Sequence, residues 1–231
     1  MANFINAKWM SHSNWELTLS NGKKLAMDPW YTDNPKNPGN AEDVKVDYVL
    51  ITHDHWDHVK DVAVLVRNGA KVVTQPEVEK RLVADEGLDP DSFIRINTGG
   101  TVPLEDDLSV TLIQAFHSAD SGTPSGVIVH YDGITIMNVG DTALYKEMEL
   151  YGELYQPDLL LLPIGDRFTM GPREALRAVS MIKPKACTPM HYNTFPAIEQ
   201  DPHAFADRVS NEIPGVETII LQPGEGTTIS K

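Results

Sequence analysis

Cysteine is almost missing from these 231 residues: the chain has one, Cys187. A single thiol excludes an intramolecular disulfide framework and fits a reducing compartment, and Cys187 itself reads as a small buried hydrophobe. Long apolar runs are missing too. No stretch approaches the roughly 18 apolar residues that a membrane span needs. The start Met1-Ala2-Asn3-Phe4 has no charged segment followed by an apolar one, so a cytoplasmic protein is expected. Positive charge is scarce, with 19 Lys and Arg against 33 Asp and Glu and a formal charge of −14. That sign is wrong for broad neutralisation of phosphate backbones, so nucleic acid is set aside and a small-molecule substrate is expected. No Pro/Gly/Ser-rich linker or low-complexity tract interrupts the chain, which predicts one domain over 1–231. Self-association as a homo-oligomer is left open.

What is there is ordinary globular composition, 41% hydrophobic and 23% charged, enough to build a core. The pattern opens as a β-hairpin: Trp15 to Leu19 alternates, Asn21-Gly22 is a turn, and Lys24 to Met27 resumes the sheet. Val46 to Thr52 reads as a mostly buried strand, Val59 to Asn68 as a helix stopped by Gly69, Lys71 to Thr74 as a strand and Pro76 to Glu86 as a helix. Strands follow at Leu108 to Phe116, Gly126 to Tyr131 and Ile134 to Val139. After them come a strand at Asp158 to Ile164, a helix at Pro172 to Ile182 and a strand at Lys185 to Pro189. Two β-rich halves, each followed by helices, predict two sheets packed face to face with helices outside: an α+β, four-layer αββα sandwich.

The chemistry concentrates in the turn after Val46 to Thr52, which reads His53-Asp54-His55-Trp56-Asp57-His58. Neutral imidazole and carboxylate are good ligands for zinc and similar ions, and a turn at a strand end can splay such side chains toward two centres. An ordinary polar turn would carry Gly, Asn and Ser instead. Three further candidates stand at predicted strand ends: His117, Asp141 in Val139-Gly140-Asp141-Thr142, and His191 in Pro189-Met190-His191-Tyr192. Side chains gathered at strand C-termini converge as active-site residues do. Within the central motif Asp54 is expected to face solvent. His130, inside a strand, and His203, beside Pro202 in a helix, have no partner pattern and read as structural or surface residues.

The series His53-x-His55-x-Asp57-His58, His117, Asp141, His191 resembles that of the metallo-β-lactamase superfamily across nearly the whole chain. The segments Leu162 to Pro172 and Pro189 to Pro196 resemble its branch of metal-dependent hydrolases related to ascorbate-6-phosphate lactonases. The resemblance implies His53, His55 and His117 on one metal, Asp57, His58 and His191 on another, and Asp141 bridging both. It implies that Asp28 orients a metal-binding histidine, and that His12 is similar to a first-hairpin histidine facing the metals. With Asp57 and Asp141, His12 completes the catalytic set; its loss is expected to slow turnover with little change in stability. Asp166, Asn193 and Thr194 flank ligands and are candidates for substrate contact. The implied chemistry is a hydroxide activated by two divalent ions, Zn2+ first and Mn2+ or Fe2+ as alternatives, attacking a lactone, phosphodiester or thioester. Two rivals remain at this level. An iron redox enzyme on the same scaffold is weakened by His55, which stands where flavodiiron relatives carry a carboxylate. A metal-loaded binding module without turnover would need a closed coordination shell.

Overall fold

The computed structural model describes residues 3–231, and its strands form two seven-stranded sheets. The first contains β1 (Phe4–Ser11), β2 (Asn14–Leu19), β3 (Lys24–Met27), β4 (Tyr48–Leu50), β5 (Lys71–Thr74) and β6 (Phe93–Arg95), with β14 (Gly226–Ser230) on the outer edge of β1. The second runs in chain order through β7 (Thr101–Pro103), β8 (Leu108–Gln114), β9 (Ser125–Tyr131), β10 (Ile134–Asn138), β11 (Leu159–Pro163), β12 (Ala186–Met190) and β13 (Glu217–Thr218). Three antiparallel pairings are followed by three parallel ones in each sheet.

Period-two alternation explains the layering. Leu25, Met27, Leu50 and Val73 turn inward and join a buried cluster with Val110, Val127, Ile136 and Leu160 of the second sheet. Their neighbours Ala26, Val49, Ile51 and Val72 turn outward against Val62 and Leu65 of α2 (Val62–Arg67) and Val78 and Leu82 of α3 (Pro76–Glu86). On the far side, α5 (Pro172–Ile182) and α6 (Pro202–Glu212) bury Ala175, Val179, Phe205 and Val209, and α4 (Met148–Tyr155) lies beside α5. This is the expected αββα sandwich. Strands covered on both faces read as continuous apolar runs, which is why β4 and β11 lack alternation in sequence.

The helix expected over Val59 to Asn68 is broken in two, α1 (Trp56–Val59) and α2. The break falls at Asp61, whose carboxylate accepts hydrogen bonds from the Tyr31 and Thr32 amides and the Thr32 hydroxyl. Side-chain capture of a neighbouring loop competes with helix propagation, a cost invisible to periodicity. The buried strand expected over Val46 to Thr52 is likewise trimmed to β4. Its last predicted residue, Thr52, gives its amide to the Asp28 carboxylate at 2.9 Å instead of to a ladder.

A repeat unites the halves at the strand starts. The Asp47 amide donates to the Lys24 carbonyl and the Asp47 carboxylate accepts from the Lys24 amide at 2.9 Å; Asp158 does both with Thr135, the latter at 2.8 Å. The carbonyls of Asp47 and Asp158 then accept from Lys71 and Ala186 of the next parallel strand. At the opposite, C-terminal ends of the parallel strands lie the loops carrying Asp28, His53 to His58, Asp141 and His191, where α/β sheets usually open a binding crevice.

Candidate metal centre

The central loop packs its imidazoles tightly. His53 Nε2 lies 2.9 Å from His55 Nδ1, and the His117 ring sits 5.1 Å from His53 and 5.0 Å from His55 between centroids. These three form one grouping whose donor atoms lie within 4.8 Å of one another. His12, Asp57, His58 and His191 form a second, and His53, His58 and Asp141 a third. Asp141 stands between them: its Oδ2 lies 2.9 Å from His191 Nε2, 3.4 Å from His58 Nε2 and 3.7 Å from His117 Nε2.

Asp28, fully buried, accepts from the Thr52 amide and hydroxyl and sits 2.9 Å from His58 Nδ1. That contact holds a proton on Nδ1 and directs Nε2 inward. His58 Nε2 is buried without a hydrogen-bond partner among the described residues, although the Asp141 carboxylate is near. Burial alone would lower the His58 pKa, but Asp141, Asp28 and Asp57 outweigh it and hold it well above the ordinary histidine value. Burial acts against the Asp141 carboxylate, yet His191 and His58 keep it well below the usual range. His53 and His117 are held low, chiefly by burial. Asp28, Asp57 and Asp141 thus converge on the one imidazole of His58, a charge arrangement that calls for a cation. A buried, unpartnered Nε2 aimed into it fits a metal ion.

His12 faces the cluster and is fully buried. Its Nε2 lies 3.0 Å from Asp57 Oδ2, its Nδ1 3.0 Å from Thr194 Oγ1, and its ring 3.9 Å from that of His191. Burial and the neighbouring His191 lower its pKa to about 4 against the pull of Asp57, so the ring is neutral. A neutral ring that donates from Nε2 to Asp57 accepts the Thr194 hydroxyl proton at Nδ1. The expectation of unchanged stability on losing His12 does not fit this burial, because substitution strands a buried hydroxyl and a carboxylate oxygen.

Asp54 does not face solvent. It is fully buried, pairs with Arg81 of α3 at 2.7 Å, and accepts from the Asp120 and Ser121 amides at 2.9 and 3.1 Å and from the Ser121 hydroxyl. Burial opposes its ionisation, but Ser121 and Arg81 keep its pKa low. Gln75 pins the same loop by donating to the Thr123 carbonyl and accepting from the Thr123 amide. The loop leaving His117 is therefore clamped from the first sheet, a role without any local signal in sequence. Asp166 and Asn193 stand outside the three groupings. Asp166 is exposed and closes a turn through its amide to the Met170 carbonyl, while the Asn193 side chain bonds the Gln200 backbone at 2.8 and 3.0 Å. His130 meets Thr111 at 3.0 Å within the sheet.

Backbone strain collects here as well. His12, Asp28, Asp166, His191 and Asn193 have φ of +56°, +45°, +67°, +54° and +58°, the left-handed region that side chains avoid. Gly140, at φ +65°, turns the chain before Asp141 where a Cβ would lie 2.5 Å from the Ser125 carbonyl oxygen. Left-handed residues at this density mark functional loops held by the surrounding structure.

A two-sheet sandwich with His and Asp donors gathered at its strand ends defines a metal-dependent hydrolase of the β-lactamase superfamily, and the chain belongs to it: the model of the beta-lactamase superfamily domain matches residues 24–192. The chain is 42% identical over 220 residues to a UPF0173 metal-dependent hydrolase of Caldivirga maquilingensis, covering 94% of this chain and 95% of that one. One from Archaeoglobus fulgidus is 39% identical, with 96% and 98% covered. Among solved structures, the metallo hydrolase Igni18 of the archaeon Ignicoccus hospitalis superposes with a TM-score of 0.89 at 36% identity over 98% of both chains.

Proposed function

We propose that the cluster holds two divalent cations and that the enzyme cleaves an ester-like bond, in a lactone, phosphodiester or thioester, of a small molecule. His53, His55 and His117 would hold one ion, Asp57, His58 and His191 the other, with Asp141 reaching both. The observation that carries this reading is the single Asp141 oxygen placed 2.9 to 3.7 Å from imidazoles of both sets. Zn2+ is the first choice for so imidazole-rich a donor set, with Mn2+ or Fe2+ as alternatives. Such ions, when bound, would lower the pKa of a bound water and polarise the substrate's carbonyl or phosphoryl oxygen.

The chain's own residues set the geometry. Asp28 locks the His58 ring with Nε2 inward. His12 donates from Nε2 to Asp57, which fixes its tautomer, and accepts from the Thr194 hydroxyl at Nδ1, so His12, buried away from solvent, is a positioning residue for that carboxylate. Asp54 and Gln75 fix the loop leaving His117. No serine or cysteine nucleophile is required, and the buried thiol of Cys187, raised to about 11 by burial, stays protonated. The acidic net charge favours a small substrate over a nucleic acid polymer. The test is elemental analysis of protein purified without chelator, then a screen of lactones, phosphodiesters, thioesters and β-lactams with zinc and with manganese. Close to two ions per chain and turnover of at least one ester-like class are expected. A stoichiometry that stays at zero after supplementation, or fully loaded protein inert toward every class, overturns the reading.

A further inference from the structure

Of the four tryptophans, Trp9, Trp15 and Trp30 are buried at 3% exposure or less, whereas Trp56 is 57% exposed. Single exposed apolar side chains are ordinary on a protein surface, but this one occupies a particular place. It lies between His55 and Asp57, whose side chains both enter the cluster, so its backbone cannot leave the mouth of the site. Trp30 supports it from beneath in a T-shaped contact of 4.9 Å. Phe195 stacks on Trp30 at 5.7 Å and stands 6.4 Å from Trp56. The same Trp30 and Phe195 rings pack against His12 at 5.1 and 5.6 Å, so the platform runs continuously from solvent to the residue that holds Asp57. A rigid aromatic surface leading into a polar centre recognises a molecule that is apolar at one end and polar at the other.

We infer that Trp56, backed by Trp30 and flanked by Phe195, is the specificity platform of the site, and that its substrates carry an aromatic or cyclic apolar group next to the scissile bond. The inference rests on the hydrolase reading above and adds the substrate's apolar half. Trp56 contributes a ring face and makes no bond to the reacting atoms. Ring pairs of this kind change affinity by roughly threefold to tenfold.

Two measurements test the platform. In the first, phenylacetate and acetate are titrated into the metal-loaded protein while tryptophan fluorescence is followed; the exposed indole dominates any change caused by a ligand at the mouth. Phenylacetate should shift or quench the emission at concentrations where acetate does not, and Trp56→Phe should remove that response. In the second, phenylacetyl and acetyl thioesters of one thiol are compared. The wild type should prefer the phenylacetyl ester, Trp56→Ala should raise its KM roughly threefold to tenfold and erase the preference, and Trp56→Phe should restore part of it. Equal responses to phenylacetate and acetate, or a preference untouched in Trp56→Ala, overturn the platform. An emission shift that depends on protein concentration alone also overturns it, because the indole would then lie in a contact between copies. Failure of every hydrolysis assay overturns the proposed function instead, and the fluorescence titration still reads the platform.

Discussion

The two sheets share an order of strand directions and matching carboxylate ties at Asp47 and Asp158, yet they deliver their chemistry differently. The first sheet spends one loop, after β4, on four candidate ligands within six residues. The second supplies one residue at each of three strand ends, His117 after β8, Asp141 after β10 and His191 after β12. A dense local motif needs only a correct turn, whereas a distributed set needs the whole sheet in register. The second half should therefore be where single substitutions reach furthest.

The strongest way to break that contrast is Asp141→Ala. If one oxygen serves both ion sets, metal content should fall toward zero, with affinity losses exceeding the roughly 10–100-fold typical of an outer-shell partner. His117→Ala should leave close to one ion per chain. Elemental analysis of both variants decides the matter, and retention of one tightly held ion in Asp141→Ala would refute the shared role.

Next in size is Asp28, the counterpart of Asp141 at the end of β3 in the first sheet. Asn tolerates the left-handed backbone at this position, so Asp28→Asn removes the charge without adding backbone strain. Metal affinity should drop roughly 10–100-fold through loss of control over His58, measured by competition with a chromogenic chelator. An unchanged affinity would reduce Asp28 to a loop anchor.

Asp54→Ala should cost roughly 1–3 kcal/mol of stability, the usual range for stranding partly buried donors. It should also speed amide exchange in the loop 118–123 while β8 and β9 stay protected. Thermal melts and hydrogen exchange read the two effects, and uniform loosening of the second sheet would contradict a local clamp.

The smallest effect belongs to Asp158. Burial works against its ionisation, but Lys185 and the Thr135 amide outweigh it and hold the carboxyl below the usual range. The unfolded chain takes up this proton first, so the contribution is complete above pH of about 4 and disappears as pH falls through the lowered folded value. Lys185 is 71% exposed, which keeps the pair worth less than about 1 kcal/mol. Asp158→Asn should be slightly less stable than wild type at neutral pH and equal to it in strong acid.

How far the sequence could be read follows the same division. The motif from His53 to His58, the sandwich and most long strands were legible because period-two burial and strand-end placement are local patterns. Strands β6, β7 and β13, at two to three residues, carry too little pattern to register. The helix break at Asp61 and the burial of Asp54 depended on partners far along the chain, Tyr31 and Thr32 in one case and Arg81 and Ser121 in the other. Trp56 falls at an x position of the motif, and nothing local distinguishes a buried indole from an open one.

The backbone bond from the His191 amide to the His12 carbonyl, 3.1 Å long, ties the first hairpin to the end of β12, and the candidate ligands between span more than half the chain. A polypeptide with one cysteine has no covalent staple to restrict its unfolded ensemble. An ion held by residues so distant closes the same kind of long loop, withdrawing chain entropy from the unfolded state as a disulfide would. Metal loading would then be felt as resistance to unfolding, and chelation as a loss of durability even where no substrate is turned over.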